Sequence, residues 1–197
     1  MIGFCVAYVL TYSDFKLKKM IDMLTLVAMA VPGVVLGIGY IFIWNQKWLS
    51  KIGLHLYGHP SILVLASVAA AIPMINRVLV GGMAKIPSSL LVAAQMQGAG
   101  FFTKIKTVLL PLLHNSSVSA VLAAFGGSVF NLAITTILYP PNYSTLPVYI
   151  SDSYNDLKFG YAAAATIIGG IFIIAIMLAL EAILNAGYLR NKKKGMN

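Results

Sequence analysis

The sequence predicts an all-α membrane protein, and three observations carry that prediction. Hydrophobic residues make up 59% of the 197-residue chain and charged residues only 10%. The apolar residues are gathered into long runs, and the mean hydropathy is strongly positive. The 14 lysines and arginines stand in short clusters at the ends of those runs. A soluble domain of this size cannot hide so much apolar surface, whereas a bilayer solvates it. The net charge of +9 is therefore read as membrane anchoring, with lipid as a partner and no nucleic acid. The single cysteine, Cys5, excludes an intrachain disulfide framework.

Taken in order, the first element is an apolar stretch, residues 1–12, about half a span long. It lacks the basic leader and small-residue cleavage site of a signal peptide. We read it as a partial span and the chain as the N-terminally truncated, later part of a longer protein; a short interfacial helix is the alternative. Four full spans follow at 22–44, 61–83, 107–130 and 159–187. At 1.5 Å per residue, about 23 helical residues reach about 35 Å, against about 30 Å of hydrocarbon. Pro32, Pro73 and Pro111 lie in or near these spans, where each removes a backbone hydrogen bond and either kinks its helix or acts as a hinge. Gly33 and Gly37 form a small-xxx-small pair, and with Gly126–Gly127 and Gly169–Gly170 they are expected to let helices pack closely.

Charge orients the spans. Four crossings put residues 13–21, 84–106 and 188–197 on one side of the membrane. That side, with Arg77 at the end of its helix, holds eleven basic residues, against Lys47, Lys51 and Lys158 on the other. The first side, with the C-terminus, is therefore expected to be cytoplasmic. Residues 86–102 are uncharged but only about one short span long, and they carry Ser88, Ser89, Gln95, Gln97, Gly98 and Gly100, so they read as surface helix.

The loop at 84–106 has internal order. Pro87 suits a first helical turn, Ser88 to Gln97 has no breaker, and Ala93 and Ala94 offer a flat surface to a close partner. Gly98 and Gly100 supply a sharp turn, Phe101 to Lys106 restarts the chain, and Pro111 lies just inside the next span. A plain connector is the alternative reading.

The spacing in this segment resembles the signature of the inner-membrane permeases of binding-protein-dependent ABC importers. That signature reads Glu-Ala-Ala, three residues, Gly, nine residues, Ile-x-Leu-Pro. Ala93, Ala94, Gly98, Leu110 and Pro111 match it, Val108 replaces isoleucine conservatively, and Val92 replaces the glutamate. Ala30 to Tyr40, Ile72 to Arg77 and Leu138 to Pro147 are similar to further segments of the family, the last to its ferric-iron branch. The resemblance covers nearly the whole chain. It implies a MetI-like transmembrane helical bundle in the inner membrane, with cytoplasmic coupling helices that include Val92, Ala93, Ala94, Gly98, Ala99 and Phe101. It further implies a cytoplasmic ABC ATPase dimer, an extracytoplasmic substrate-binding protein and a second permease half or subunit as partners. The cargo it suggests is ferric iron, with polyamine, phosphonate or sulfate as alternatives.

Other polar residues admit two readings. Asn115, Ser116 and Ser119, beside His114 and Ser117, and Asn131, Thr135 and Thr136 at the other end of the same span, either line a translocation path or bond between helices. Glu181 either snorkels to the interface or pairs with Arg77. Catalysis finds little support. His55 and His59 have no acidic third ligand nearby, no metal or cofactor is expected, and no Walker-type loop is present, so ATP hydrolysis is expected on a separate subunit. An intramembrane enzyme or a secondary transporter is the rival of another class.

Overall fold

The computed structural model describes residues 2–51, 53, 56, 58–141 and 143–194, with the side chains of Ser50 and of residues 190–194 excepted. His55, one of the histidines weighed above, and Asn142 of the ferric-like segment lie outside the described residues. Among the described residues every regular element is a helix. These are α1 (Ile2–Tyr12), α2 (Lys18–Ala30), α3 (Gly33–Trp44), α4 (Lys47–Lys51), α5 (Ser61–Met83), α6 (Ser88–Met96) and α7 (Phe101–Lys104). A π-helical segment (Ile105–Leu109) follows, then α8 (Leu110–Leu112), α9 (His114–Val129), α10 (Leu132–Leu138), α11 (Leu146–Asn155) and α12 (Phe159–Lys194). The expected all-α membrane fold is what the chain adopts. α5 and α12 are each long and apolar enough to cross a bilayer, and the pairs α2 with α3 and α7–α8 with α9 are so when each is taken together.

Two of the predicted spans are not single helices. The run at 22–44 is broken at Val31–Pro32 into α2 and α3. Pro32 has no N–H to give the preceding turn and disfavours helical backbone at Val31. It stands with φ −59° and ψ 137° as the N-cap of α3, and its carbonyl accepts from Val35 and Leu36 at 3.0 and 3.2 Å. The run at 107–130 does not begin at 107. Helix runs from Phe101 to Leu112 and then turns by 72° into His114–Val129. Pro111 explains the irregularity, because its ring crowds the carbonyl one turn back and it offers no donor there. The backbone loosens into the wider π register just upstream. At the far end, α12 continues past 187 to Lys194, where basic residues suit a helix C-terminus.

The described residues fall into two compact units, one formed by 2–29, 72–124 and 179–194, the other by 30–71 and 125–178. The first is built on Ala7, Leu79, Met83, Ile86, Leu91, Leu109, Leu113 and Ala120, all buried in one cluster. In lipid the hydrophobic effect does little to join helices, so close packing and polar contacts must do so. A methyl group at Gly82 would lie 2.5 Å from Ser116 Oγ, which shows how near α5 and α9 approach. Arg77 reaches α2, pairing with the Asp22 carboxylate at 2.8 Å and donating to Thr25 Oγ1 at 3.0 Å. Asp22, rather than Glu181, is thus the partner of Arg77, and Glu181 is exposed.

In the second unit α3 lies against α10. Methyl groups at Gly33 and Gly37 would each come within 2.9 Å of Ala133 Cβ and Ile137 Cβ, one turn apart. The spacing read from the sequence as a close-packing pair does serve packing. Ile62, Ala66, Ile134 and Leu138 form the buried cluster beside it.

Candidate functional site: the helix pair of residues 84–112

The site begins where α5 ends. Tyr12, the last residue of α1, donates its hydroxyl to the carbonyls of Met83 and Ile86 at 2.8 and 3.2 Å. Those two carbonyls lie at the exit of α5 and in the connection to α6, so the start of the loop is tied to α1. Pro87 stands at the N-cap of α6 with φ −65° and ψ 137°, one residue earlier than its expected place in the first turn.

α6 has two unlike faces. Leu91 is 8% exposed and joins the buried cluster of the first unit. Val92 is 55% and Met96 85% exposed, and Ala93 is exposed beside them. The helix therefore docks through one residue and presents a small, flat apolar strip on its outer side. α7 extends the strip, with Phe102 at 83% exposure. Phe101 packs edge-on against Tyr8 of α1, with ring centroids 5.4 Å apart.

Gly98 explains the turn between the helices. Its φ is +82°, a left-handed backbone that a Cβ disfavours. Ala99 N–H donates to the Ala94 carbonyl at 3.0 Å and Gly98 N–H to the Gln95 carbonyl at 2.9 Å. This pair of bonds is the Schellman arrangement, which satisfies carbonyls left open at a helix end. Among the described residues no atom lies within 4 Å of where a Cβ would stand, so the demand for glycine there is conformational and not one of space. Across the turn, Lys104 Nζ donates to Gln95 Oε1 at 3.0 Å and fixes α7 to α6.

The rest of the signature supports this pair from below. Val108 packs against the buried cluster, and its neighbour Leu109 is fully buried. Leu110 is exposed, and the Pro111 carbonyl faces the Tyr188 hydroxyl at 3.5 Å. Val92, Ala93, Met96 and Phe102 are thus set outward, while Leu91, Val108 and Leu109 hold them. Tyr8, Tyr12, Met96 and Phe102 were not singled out in the sequence. The i,i+4 spacing of two tyrosines within the partial span was the one signal for the first pair.

The candidate path residues separate. Asn115 and Ser119 are exposed on one face of α9 in the first unit, and Ser116 is the residue packed on Gly82. Asn131 and Thr135 belong to the second unit. Asn131 caps α10, its Oδ1 accepting from Ile134 N–H at 3.1 Å, and Thr135 Oγ1 donates back to the Asn131 carbonyl at 2.7 Å. Local backbone bonds therefore occupy both side chains. His114 bonds between helices, its Nε2 2.8 Å from Asn185 Oδ1 and its ring stacked on Tyr188 at 4.0 Å.

Comparison with known proteins bears on this site. A family profile described as "Binding-protein-dependent transport system inner membrane component" matches residues 1–189. The ferric transport system permease protein FbpB of Actinobacillus pleuropneumoniae is 25% identical over 178 residues, which is 90% of this chain and 25% of that protein. The putative 2-aminoethylphosphonate transport system permease protein PhnV of Salmonella paratyphi A is 28% identical over 184 residues, 92% of this chain and 66% of that one. The molybdate/tungstate transport system permease protein WtpB of Methanocaldococcus jannaschii is 25% identical over 178 residues, covering 89% and 70%. The chain spans 25% of the ferric relative's length and 66% of the phosphonate relative's.

Proposed function

The chain belongs to the family of inner-membrane components of binding-protein-dependent transport systems, and on that premise we propose that it is a permease subunit of an ATP-driven importer, coupled to a cytoplasmic ATPase dimer through α6 and α7. The observation that carries the coupling is the outward strip of Val92, Ala93, Met96 and Phe102 on a turn locked by Gly98. Exposed apolar side chains at a helix tip, braced by a buried core, suit insertion into a groove on a partner. Movement of that partner would be transmitted through the π segment and Pro111 into α9, because the segment from Phe101 to Leu112 is one continuous helix.

The charge asymmetry supports a cytoplasmic placement of this loop and of the C-terminus. The partners on the opposite side would be a substrate-binding protein and, within the membrane, a second permease half or subunit. Ferric iron is the cargo we favour, because Leu138 to Pro147 resembles that branch and ferric permeases are among the relatives. Phosphonate is a second reading, favoured by the 28% identity of the phosphonate relative.

The test is uptake by sealed vesicles carrying the chain with its co-purifying ATPase and binding protein. ATP-dependent accumulation of ferric iron, and not of 2-aminoethylphosphonate, is expected. Accumulation of either cargo without any ATPase would overturn the coupling, and accumulation of phosphonate alone would overturn the choice of iron.

A further inference from the structure

A groove of about 740 Å³ opens in the first unit between the segment around Pro111, α9 and the last turns of α12. Its walls are mostly apolar, with Leu110, Val118, Val121 and Leu184 among them, and Lys106 and Tyr188 stand in the lining. That volume falls within the range of about 300–1,000 Å³ usual for small-molecule pockets. Stacking of His114 on Tyr188 and the His114–Asn185 hydrogen bond hold this wall in one arrangement.

Two features point to what fills it. On the membrane placement expected from the sequence, α9 and α12 cross the bilayer, and the apolar wall between them would face acyl chains. Among the described residues its one charged lining residue is basic, and that residue, Lys106, is exposed. An apolar cleft with the Lys106 ammonium in its lining matches an anionic lipid, acyl chains within and phosphate at the ammonium. Lysine's flexible stem can follow the apolar wall while its head remains at the interface. A neutral zwitterionic lipid would fill the same walls but leave the ammonium without net compensation.

We propose that this groove is a binding site for one anionic phospholipid of the surrounding leaflet, with Lys106 on the phosphate and the Leu110–Val121–Leu184 wall on an acyl chain. Two of its lining residues, Lys106 and Leu110, flank in the chain Val108 and Leu109, which brace the α6–α7 pair. Occupancy would therefore steady the platform that carries the outward strip. The inference rests on the membrane placement of the chain and not on its cargo or ATPase.

The test is native mass spectrometry of the purified full chain, released from detergent after titration with phosphatidylglycerol or phosphatidylcholine. One phosphatidylglycerol per chain is expected to be retained about fivefold more strongly than phosphatidylcholine, the scale of one basic contact at a membrane surface. Lys106→Gln should remove that preference and Lys106→Arg should restore it. Val121→Trp, at an exposed position of the wall, should lower retention of both lipids. Equal retention of the two lipids by the unaltered chain would overturn the proposal. So would a preference that survives Lys106→Gln but is lost when Lys192, Lys193 and Lys194 are all replaced by Gln. A lipid-free dimer that Val121→Trp dissociates would overturn it in favour of a second copy as occupant. Because no ATPase or cargo enters the measurement, its failure leaves the transport reading standing, and the converse also holds.

Discussion

At the scale of single residues, Gly98 and the strip around Met96 make opposite demands. Gly98 is required for its backbone, since among the described residues its Cβ position is empty of neighbours while its φ is +82°. Gly98→Ala should therefore cost about 1–2 kcal/mol at the turn, whereas Gly98→Asn should cost less, because asparagine visits left-handed backbone. Cargo-stimulated ATP hydrolysis in the assembled complex would show the two variants in that order. Met96 and Phe102, by contrast, are solvent-facing, so Met96→Glu should leave the isolated chain's stability within about 0.5 kcal/mol. The same change should weaken ATPase association by about tenfold or more, as loss of an apolar anchor does. Val92→Glu restores the family's carboxylate at an exposed position, and it too should fold normally. The signature's alanines, glycine and final proline were legible only through the resemblance to the family's motif. Met96 and Phe102 were not, since an exposed methionine in an apolar sequence looks like any other.

At the scale of elements, the sequence was read well where a helix is uninterrupted. The run at 61–83 coincides with α5, Pro73 notwithstanding. Hydropathy cannot show a break inside a continuous apolar run, so Pro32 divides 22–44 without any change in composition. The same blindness hid the 72° turn after Leu112 and the π segment before it. The polar residues of α9 and α10 were ambiguous because their partners are distant or are their own backbone. Ser116 lies on Gly82, and Asn131 bonds to Ile134. Gly82→Ala should cost about 1–3 kcal/mol, the usual penalty for overfilling a packed contact. Adding Ser116→Gly should recover much of that loss, and thermal unfolding in detergent of the two single variants and the double variant measures the coupling.

At the scale of the whole molecule, the account depends on one asymmetry. Eleven basic residues belong to the segments grouped with the 84–106 loop and three to the remainder. Reporters inserted near Lys18 and after the C-terminus should both face the cytoplasm, and signals from opposite faces would contradict the assigned topology. The family supplies the context of a membrane permease, and the two-faced α6 is the place proposed for an ATPase to grip. The most direct measurement is site-directed cross-linking in membranes that contain the co-purifying ATPase. Met96→Cys on α6 and Tyr149→Cys on α11 are compared in a Cys5→Ser background. ATP-sensitive cross-links to the ATPase are expected from position 96 and none from position 149. An ATPase that cross-links from position 149, or from neither position in an assembled and active complex, would contradict coupling through α6.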